Sequence, residues 1–278
     1  MNLLGIDFED WYHPELIQKY IDRDNNKPKV IHGIEKIIDL LRLKDTKATF
    51  FVVGELLEFK PEILDIILEN GHEIGFHTMY HTKLDDTGYD KRFEDEIKKF
   101  NILTNKRSKG FRAPTFSLNK KSAGVIDILE RNNYLYDSSV VPANSGMYGI
   151  PDAPQNPYKI SSKDITKHDP NAKIIEFPLL VTEFLGKKIP AGGGFFLRTL
   201  PIRVVKKALR DYEERNIPAS FYIHSWELTP EYMPDITLPF KENFITFHNI
   251  GKAYKKMSEL LDEFRFTSFE DYIKTREF

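Results

Sequence analysis

Glu73-Ile74-Gly75-Phe76-His77-Thr78-Met79-Tyr80-His81 is the stretch on which the fold turns: a short alternating run that ends in two histidines four residues apart. In a helical or turn-like segment that spacing points both imidazoles the same way. A strand that ends at His77 delivers the pair to the rim of a sheet, where open α/β folds bind ligands. Neutral imidazole is the commonest protein ligand for zinc-like metals, and a catalytic site takes three protein ligands and leaves one position open. The pair alone is a weak signature, so the rest of the chain has to supply what such a site needs.

Working outward, short β-rich runs alternate with amphipathic helical patterns. Strands are expected at Leu3–Phe8, Ala48–Val53, Glu73–His77, Gly110–Ala113, Ile174–Val181, Ala219–His224 and Phe266–Phe269. Helices are expected at Val30–Lys44, from Pro61 to Asn70-Gly71, around Asp90–Lys106, and at Asn119–Arg131, Pro201–Arg215 and Gly251–Phe264. Strict alternation implies a mainly parallel sheet covered by helices. The expected architecture is a distorted (β/α) barrel of about seven parallel strands, with a doubly wound open sheet as the alternative. At 278 residues one large core suffices, so residues 1–278 are taken as a single domain. From Ser138 to Lys173 the pattern lapses into a segment rich in proline, glycine and asparagine, and Gly149–Tyr158 within it is expected to face substrate. Ala191-Gly192-Gly193-Gly194-Phe195-Phe196 is a second candidate, its glycines serving either close approach to a ligand or a tight turn.

Net charge is −2, which gives no electrostatic case for nucleic acid or an anionic membrane as the main partner. The absence of cysteine excludes disulfides, thiol nucleophiles and thiolate-ligated metal. Met1–Ile6 lacks a basic leader region and no apolar run is long enough to span a bilayer. A cytoplasmic protein without integral membrane association is therefore expected.

Three further segments carry candidate chemistry. Asp7-Phe8-Glu9-Asp10-Trp11 places three carboxylates at a strand terminus, where they repel unless a cation, water or arginine compensates. One carboxylate is suited to a metal and another to proton abstraction; a solvated turn with an acidic cap is the plain alternative. Arg112, in Lys109–Phe116, can hold and orient such a carboxylate. His224, in Phe221-Tyr222-Ile223-His224-Ser225-Trp226-Glu227, suits proton donation near neutrality.

Asp/Glu-Asp after the first strand, His77-Thr78-Met79-Tyr80-His81, Arg112-Ala113-Pro114-Thr115-Phe116 and an apolar pair before His224 resemble, in the same order, the motifs of the polysaccharide deacetylase (NodB-homology) family. Asp7–Trp11, Tyr136–Ser139 and Gly149–Pro154 look most like a subgroup associated with cell-surface polysaccharide loci. The resemblance implies a barrel with fewer than eight strands and metal-assisted hydrolysis of an acetyl group on a sugar or glycan. It implies a divalent metal, zinc first and cobalt, nickel or iron as alternatives, held by Asp10, His77 and His81. Glu9 would act as base beside Arg112, and His224 as the acid. The family's usual Asp-Asp pair is here Glu9-Asp10; if the strand keeps its two-residue period, Asp7 and Glu9 share a face and take those roles instead. Asp137 is the candidate for orienting His224. Rival readings are a metal-independent amidase or cyclic-imide hydrolase on the same fold, and a non-catalytic carbohydrate-binding relative. His32, His72, His168 and His248 are read as structural, and His13 as a possible extra polar contact behind the acidic motif.

Overall fold

The computed structural model describes residues 1–21, 27–146, 148–234 and 236–276. Its strands are β1 (Asn2–Phe8), β2 (Thr49–Val52), β3 (Glu73–Phe76), β4 (Gly110–Phe111), β5 (Tyr136–Asp137), β6 (Tyr158–Ile160), β7 (Ile174–Glu176), β8 (Val181–Phe184), β9 (Lys187–Pro190), β10 (Ser220–His224) and β11 (Phe266–Thr267). The main sheet runs β10-β1-β2-β3-β4-β5-β7-β6, with β11 beside β1. From β10 to β7 every neighbour is parallel, and only β6 is antiparallel. The curled sheet nearly meets itself, because Leu179, just past β7, makes a single parallel bridge to Ser220 at the start of β10. The expected barrel of about seven parallel strands is what forms.

Period-two alternation sorts the side chains. Leu4, Ile6 and Phe8 of β1, Phe50 and Val52 of β2, Ile74 and Phe76 of β3 and Phe221 and Ile223 of β10 join the main core beneath the helices. The opposite face closes on itself. Leu3, Phe51, Tyr136, Ile175 and Phe177 pack there with Phe269 and Tyr272 of the C-terminal helix Phe269–Lys274, which plugs the end of the barrel away from the strand C-termini. Tyr136 and Phe269 stack at 5.2 Å. Glu73 lies in the same plug, accepting from the Tyr136 hydroxyl at 2.7 Å and the Glu270 amide at 2.9 Å, and burial pushes its carboxyl up to about 7.

Several element boundaries differ from expectation for local reasons. The helix expected from Asn119 starts at Val125, because Ser122 Oγ accepts the Asn119 amide and Asn119 Oδ1 accepts that of Lys121, bonds that compete with helix. The strand expected over Ile174–Val181 breaks into β7 and β8 at Pro178, which has no N–H for the ladder. A short helix, Gly54–Phe59, precedes the one expected at Pro61. Within the long segment, Tyr158–Ile160 forms an edge strand, and Ala153 and Tyr158 are buried in the main core. Of the Gly149–Tyr158 tract these two residues pack into the core, while Ser145, Gly146 and Tyr148 before it reach the cleft described below.

The plug is set apart from the strand C-termini, which allows a test. Phe269→Ala removes a ring stacked between Phe51, Tyr136 and Phe177 and should lower unfolding free energy by about 3–5 kcal/mol. Urea denaturation measures the loss; a change under about 1 kcal/mol would show that the plug does not close the barrel.

Candidate active site

The inward rows of β1, β3, β4 and β10 converge at the strand C-termini. Asp7 and Glu9, two residues apart, both point inward there. Arg112, fully buried, reaches across the barrel to Asp7, with Nη1 at 2.6 Å from Asp7 Oδ1. Its Nε donates to the Ser138 carbonyl at 3.1 Å and its Nη2 to the Ser138 hydroxyl at 3.0 Å, and its plane lies 4.1 Å over the Phe51 ring. Gly5 makes room for it, since a Cβ there would overlap the guanidinium.

Glu9, His77 and His81, all buried, bring one donor atom each to within 4.8 Å of one another. The Arg112 carbonyl accepts His77 Nδ1–H at 2.7 Å, which leaves Nε2 of that ring with a free lone pair. Burial pulls the His77 pKa down to about 4, so the ring is neutral as a ligand must be. His81 Nε2 is 2.6 Å from Glu9 Oε2, yet Oε2 has no aligned donor and stays a buried oxygen without a hydrogen bond. Glu9 Oε1 accepts from the Trp226 indole at 3.0 Å. The loop between the two histidines takes left-handed φ at Thr78 (60°) and His81 (56°). It is tied down by Met79 N–H on Glu96, by Gly54 N–H on the Thr78 carbonyl and by Thr82 N–H on Thr78 Oγ1.

Asp10 stands outside this cluster. It lies past the end of β1, and its carboxylate accepts the backbone amides of Trp11, Lys29 and Val30, capping the turn that enters the next element. His13 is the extra contact watched for behind the acidic motif. Its Nδ1 accepts the Asp10 amide at 2.7 Å, its Nε2 meets Glu55 Oε1 at 2.6 Å, and its ring stacks on His81 at 5.8 Å.

His224 closes β10 on the other side of the cleft, its Nε2 3.7 Å from Glu9 Oε1 and its ring stacked on Trp226 at 5.0 Å. Its Nδ1 is 2.8 Å from Glu227 Oε2, and Glu227 is gripped in turn by Arg198 Nε at 2.6 Å. Burial works against a charged ring here, but Glu227, then Glu9 and Asp7, outweigh it and raise the His224 pKa to about 9. Asp137, expected to orient His224, does not face it. Tyr136 takes the inward position on β5, so Asp137 points out of the barrel, where it accepts the Ser139 hydroxyl and lies opposite Glu176 in the ladder. Glu227 and Arg198 were missed from sequence. Glu227 had a signal, since it follows His224 by three residues on a helical turn; Arg198 had none, because its partner is 29 residues away in the chain. The Gly192–Gly194 run serves internal approach, and a Cβ on Gly194 would overlap the Glu227 carboxylate.

The cleft above these groups is about 500 Å³. Aromatic side chains line much of its wall: Phe116, Tyr148, Phe195, Phe196, Tyr222 and Trp226. Asp7, Glu9, His77, His81 and His224 form its polar floor. Among the described residues no helix is long and apolar enough to cross a membrane.

Residues 28–134 match the family model for polysaccharide deacetylase, and residues 138–274 match a domain of unknown function, DUF3473. Peptidoglycan deacetylase-like protein FGM2 of Gibberella zeae is 32% identical over 116 residues, 41% of this chain and 33% of that protein. A peptidoglycan-N-acetylglucosamine deacetylase of Bacillus cereus is 41% identical over 81 residues, 29% of this chain and 28% of that protein. The matched region thus spans about a third of the length of these curated relatives. A solved structure from Mycobacterium smegmatis assigned to the polysaccharide deacetylases superposes over 99% of this chain and 90% of that one, with a TM-score of 0.63 at 14% identity, a likeness of fold. Motif order and family match agree over the first half of the chain: residues 28–134 match the polysaccharide deacetylase family, and the fold is that of the superposed structure.

Proposed function

We propose that this chain is a divalent-metal-dependent hydrolase that removes the acetyl group from an N-acetylated sugar of a glycan or glycan precursor, in the making of cell-surface polysaccharide. One observation carries the proposal: Glu9, His77 and His81 converge in a cleft that holds Asp7 on Arg112 at one side and His224 on Glu227 at the other. The cleft draws on both matched regions, so residues 1–278 work as one catalytic unit.

The residues fit a metal. Two imidazoles and one carboxylate make a facial set for zinc or a similar ion, and the unbonded Glu9 Oε2 is a lone pair aimed at the same point as His81 Nε2. A divalent ion bound there supplies Lewis acidity toward the acetyl carbonyl and toward water. Asp7, fixed by Arg112, accepts the proton of the attacking water. His224, charged at neutral pH and oriented through Nδ1 by Glu227, donates from Nε2 to the leaving amine as its C–N bond breaks. The aromatic walls exclude water and stack on the faces of the saccharide. Against the first assignment from sequence, Glu9 takes the ligand role in place of Asp10, and Asp7 the base role in place of Glu9.

Metal analysis of variants tests the ligand set. Glu9→Gln, His77→Ala and His81→Ala should each weaken metal binding at least about tenfold, while Asp10→Asn should keep the metal and lose about 1 kcal/mol of stability as a lost cap. Asp7→Asn should retain metal and lower kcat for acetate release by ~10²–10⁴-fold. Full metal occupancy in both His77→Ala and Glu9→Gln would overturn the assignment.

Leaving-group dependence tests His224. His224→Ala should impair an N-acetyl sugar far more than an activated aryl acetate, whose leaving group needs no proton. Glu227→Gln should lower the His224 pKa from about 9, followed by histidine NMR on the metal-free protein. Equal losses on both substrates would show that the histidine is not the acid.

A further inference from the structure

Asp137 and Glu176 stand opposite each other in the parallel β5–β7 ladder, both at 0% exposure and both pointing out of the barrel beneath the long 138–173 segment. Asp137 Oδ1 accepts the Ser139 hydroxyl at 2.5 Å, and Glu176 Oε1 accepts the Val140 amide at 2.9 Å. The remaining oxygens, Asp137 Oδ2 and Glu176 Oε2, are buried with no N–H or O–H directed at either. Two adjacent buried carboxylates with unanswered lone pairs repel strongly. One proton resolves both deficits, making one carboxyl the donor to its neighbour.

We propose that Asp137 and Glu176 share a single proton and act together as positioning residues that clamp the root of the cleft loop. The three residues after Asp137 carry the clamp to the active site. The Ser138 carbonyl and hydroxyl hold Arg112, Ser139 Oγ accepts the Ala113 amide at 2.8 Å, and the Val140 amide rests on Glu176. Five to eight residues further on, Ser145, Gly146 and Tyr148 line the cleft. The charged and titratable groups that bear on the pair are Arg112 just past β4 and Tyr158 from β6, whose hydroxyl is spent on the Ile165 carbonyl. Burial raises both carboxyls, Asp137 to about 6 and Glu176 well above its ordinary value.

The sign of the pH effect follows. A carboxyl that keeps its proton in the folded chain above the unfolded value of 4.5 gives stability that is full below that pH and is lost as pH rises through the folded value. Asp137→Asn and Glu176→Gln each place a permanent N–H where the proton sits. The melting temperature of the unsubstituted protein should therefore fall relative to both variants as pH is raised from 5 to 9. Glu73, inside the barrel, titrates over an overlapping range but is common to all the proteins and cancels in the difference. Asp137→Ala and Glu176→Ala should raise KM several-fold with metal content unchanged, and should lose at least tenfold hydrogen-exchange protection at Ser139–Val140. Exchange on the unsubstituted protein reads the same event without any substitution, as protection at these amides that declines above the folded titration beyond the intrinsic rise in rate. Differences from the amide variants that do not change with pH would overturn the proposal. So would amide variants as damaged at pH 7 as the alanine ones, or stability that depends on an added cation. The stability and exchange arms do not rest on deacetylation, so failure of that reading leaves them standing.

Discussion

A guanidinium buried on the barrel axis is the constraint the rest of the structure answers to. Arg112 is fully enclosed, and an unpaired charge there would cost several kcal/mol. Asp7 compensates the charge, Ser138 takes two of its N–H groups, and Phe51 covers its face. The backbone has to accommodate it as well, which is why β1 carries glycine at position 5. The same residue's carbonyl fixes the His77 tautomer. One side chain and its own peptide group thus orient both the carboxylate proposed as base and one imidazole of the proposed metal cluster, and neither moves without the other.

Much of this was legible because strand alternation is a local property. The apolar residues of β1, β2, β3 and β10 declared their outward face, and the histidines at the end of β3 declared the rim. The two-residue period, weighed from sequence as the alternative register, groups Asp7 with Glu9, and the structure places both at the cleft with Asp10 apart. That register was outweighed by likeness to an adjacent acidic pair, a pattern in which neighbouring residues are given complementary roles. Asp10 lies two residues past β1, and its carboxylate is spent on backbone amides about twenty residues on. A capping aspartate and a ligating aspartate are the same letter in sequence; only the partner of the carboxylate distinguishes them.

What stayed hidden depends on contacts between distant segments. Arg198 meets Glu227 across 29 residues and anchors on the carbonyls of Ile245 and His248, so nothing near Arg198 announces a role at His224. Asp137 was misplaced for the opposite reason. Its neighbours Ser138 and Ser139 do serve the site through Arg112 and Ala113, but its own side chain lies on the outer face. The glycines at 192–194 were equally ambiguous in sequence, since room for a ligand and room for Tyr222 or Glu227 call for the same residue.

The buried acids are neutralised in different ways, and the differences sort their roles. Asp7 faces a permanent cation, which suits a group that must be oriented yet exchange protons with water. Glu227 lies between Arg198 and His224, which overcome its burial and hold its pKa at about 2, so it orients the imidazole without competing for the proton. Glu73 and the Asp137–Glu176 pair have no such cation in contact; burial raises all three carboxyls, and protons serve where charges do not. Glu9 follows none of these patterns. Burial would raise it, but His81 and His224 overcome that and hold it well below the carboxylate range, while its Oε2 still lacks a hydrogen bond. A buried carboxylate oxygen short of a donor, with ligand atoms of His77 and His81 within reach of it, fits the proposed divalent cation better than a proton. A proton would satisfy a single oxygen, whereas a cation accepts lone pairs from all three side chains at once.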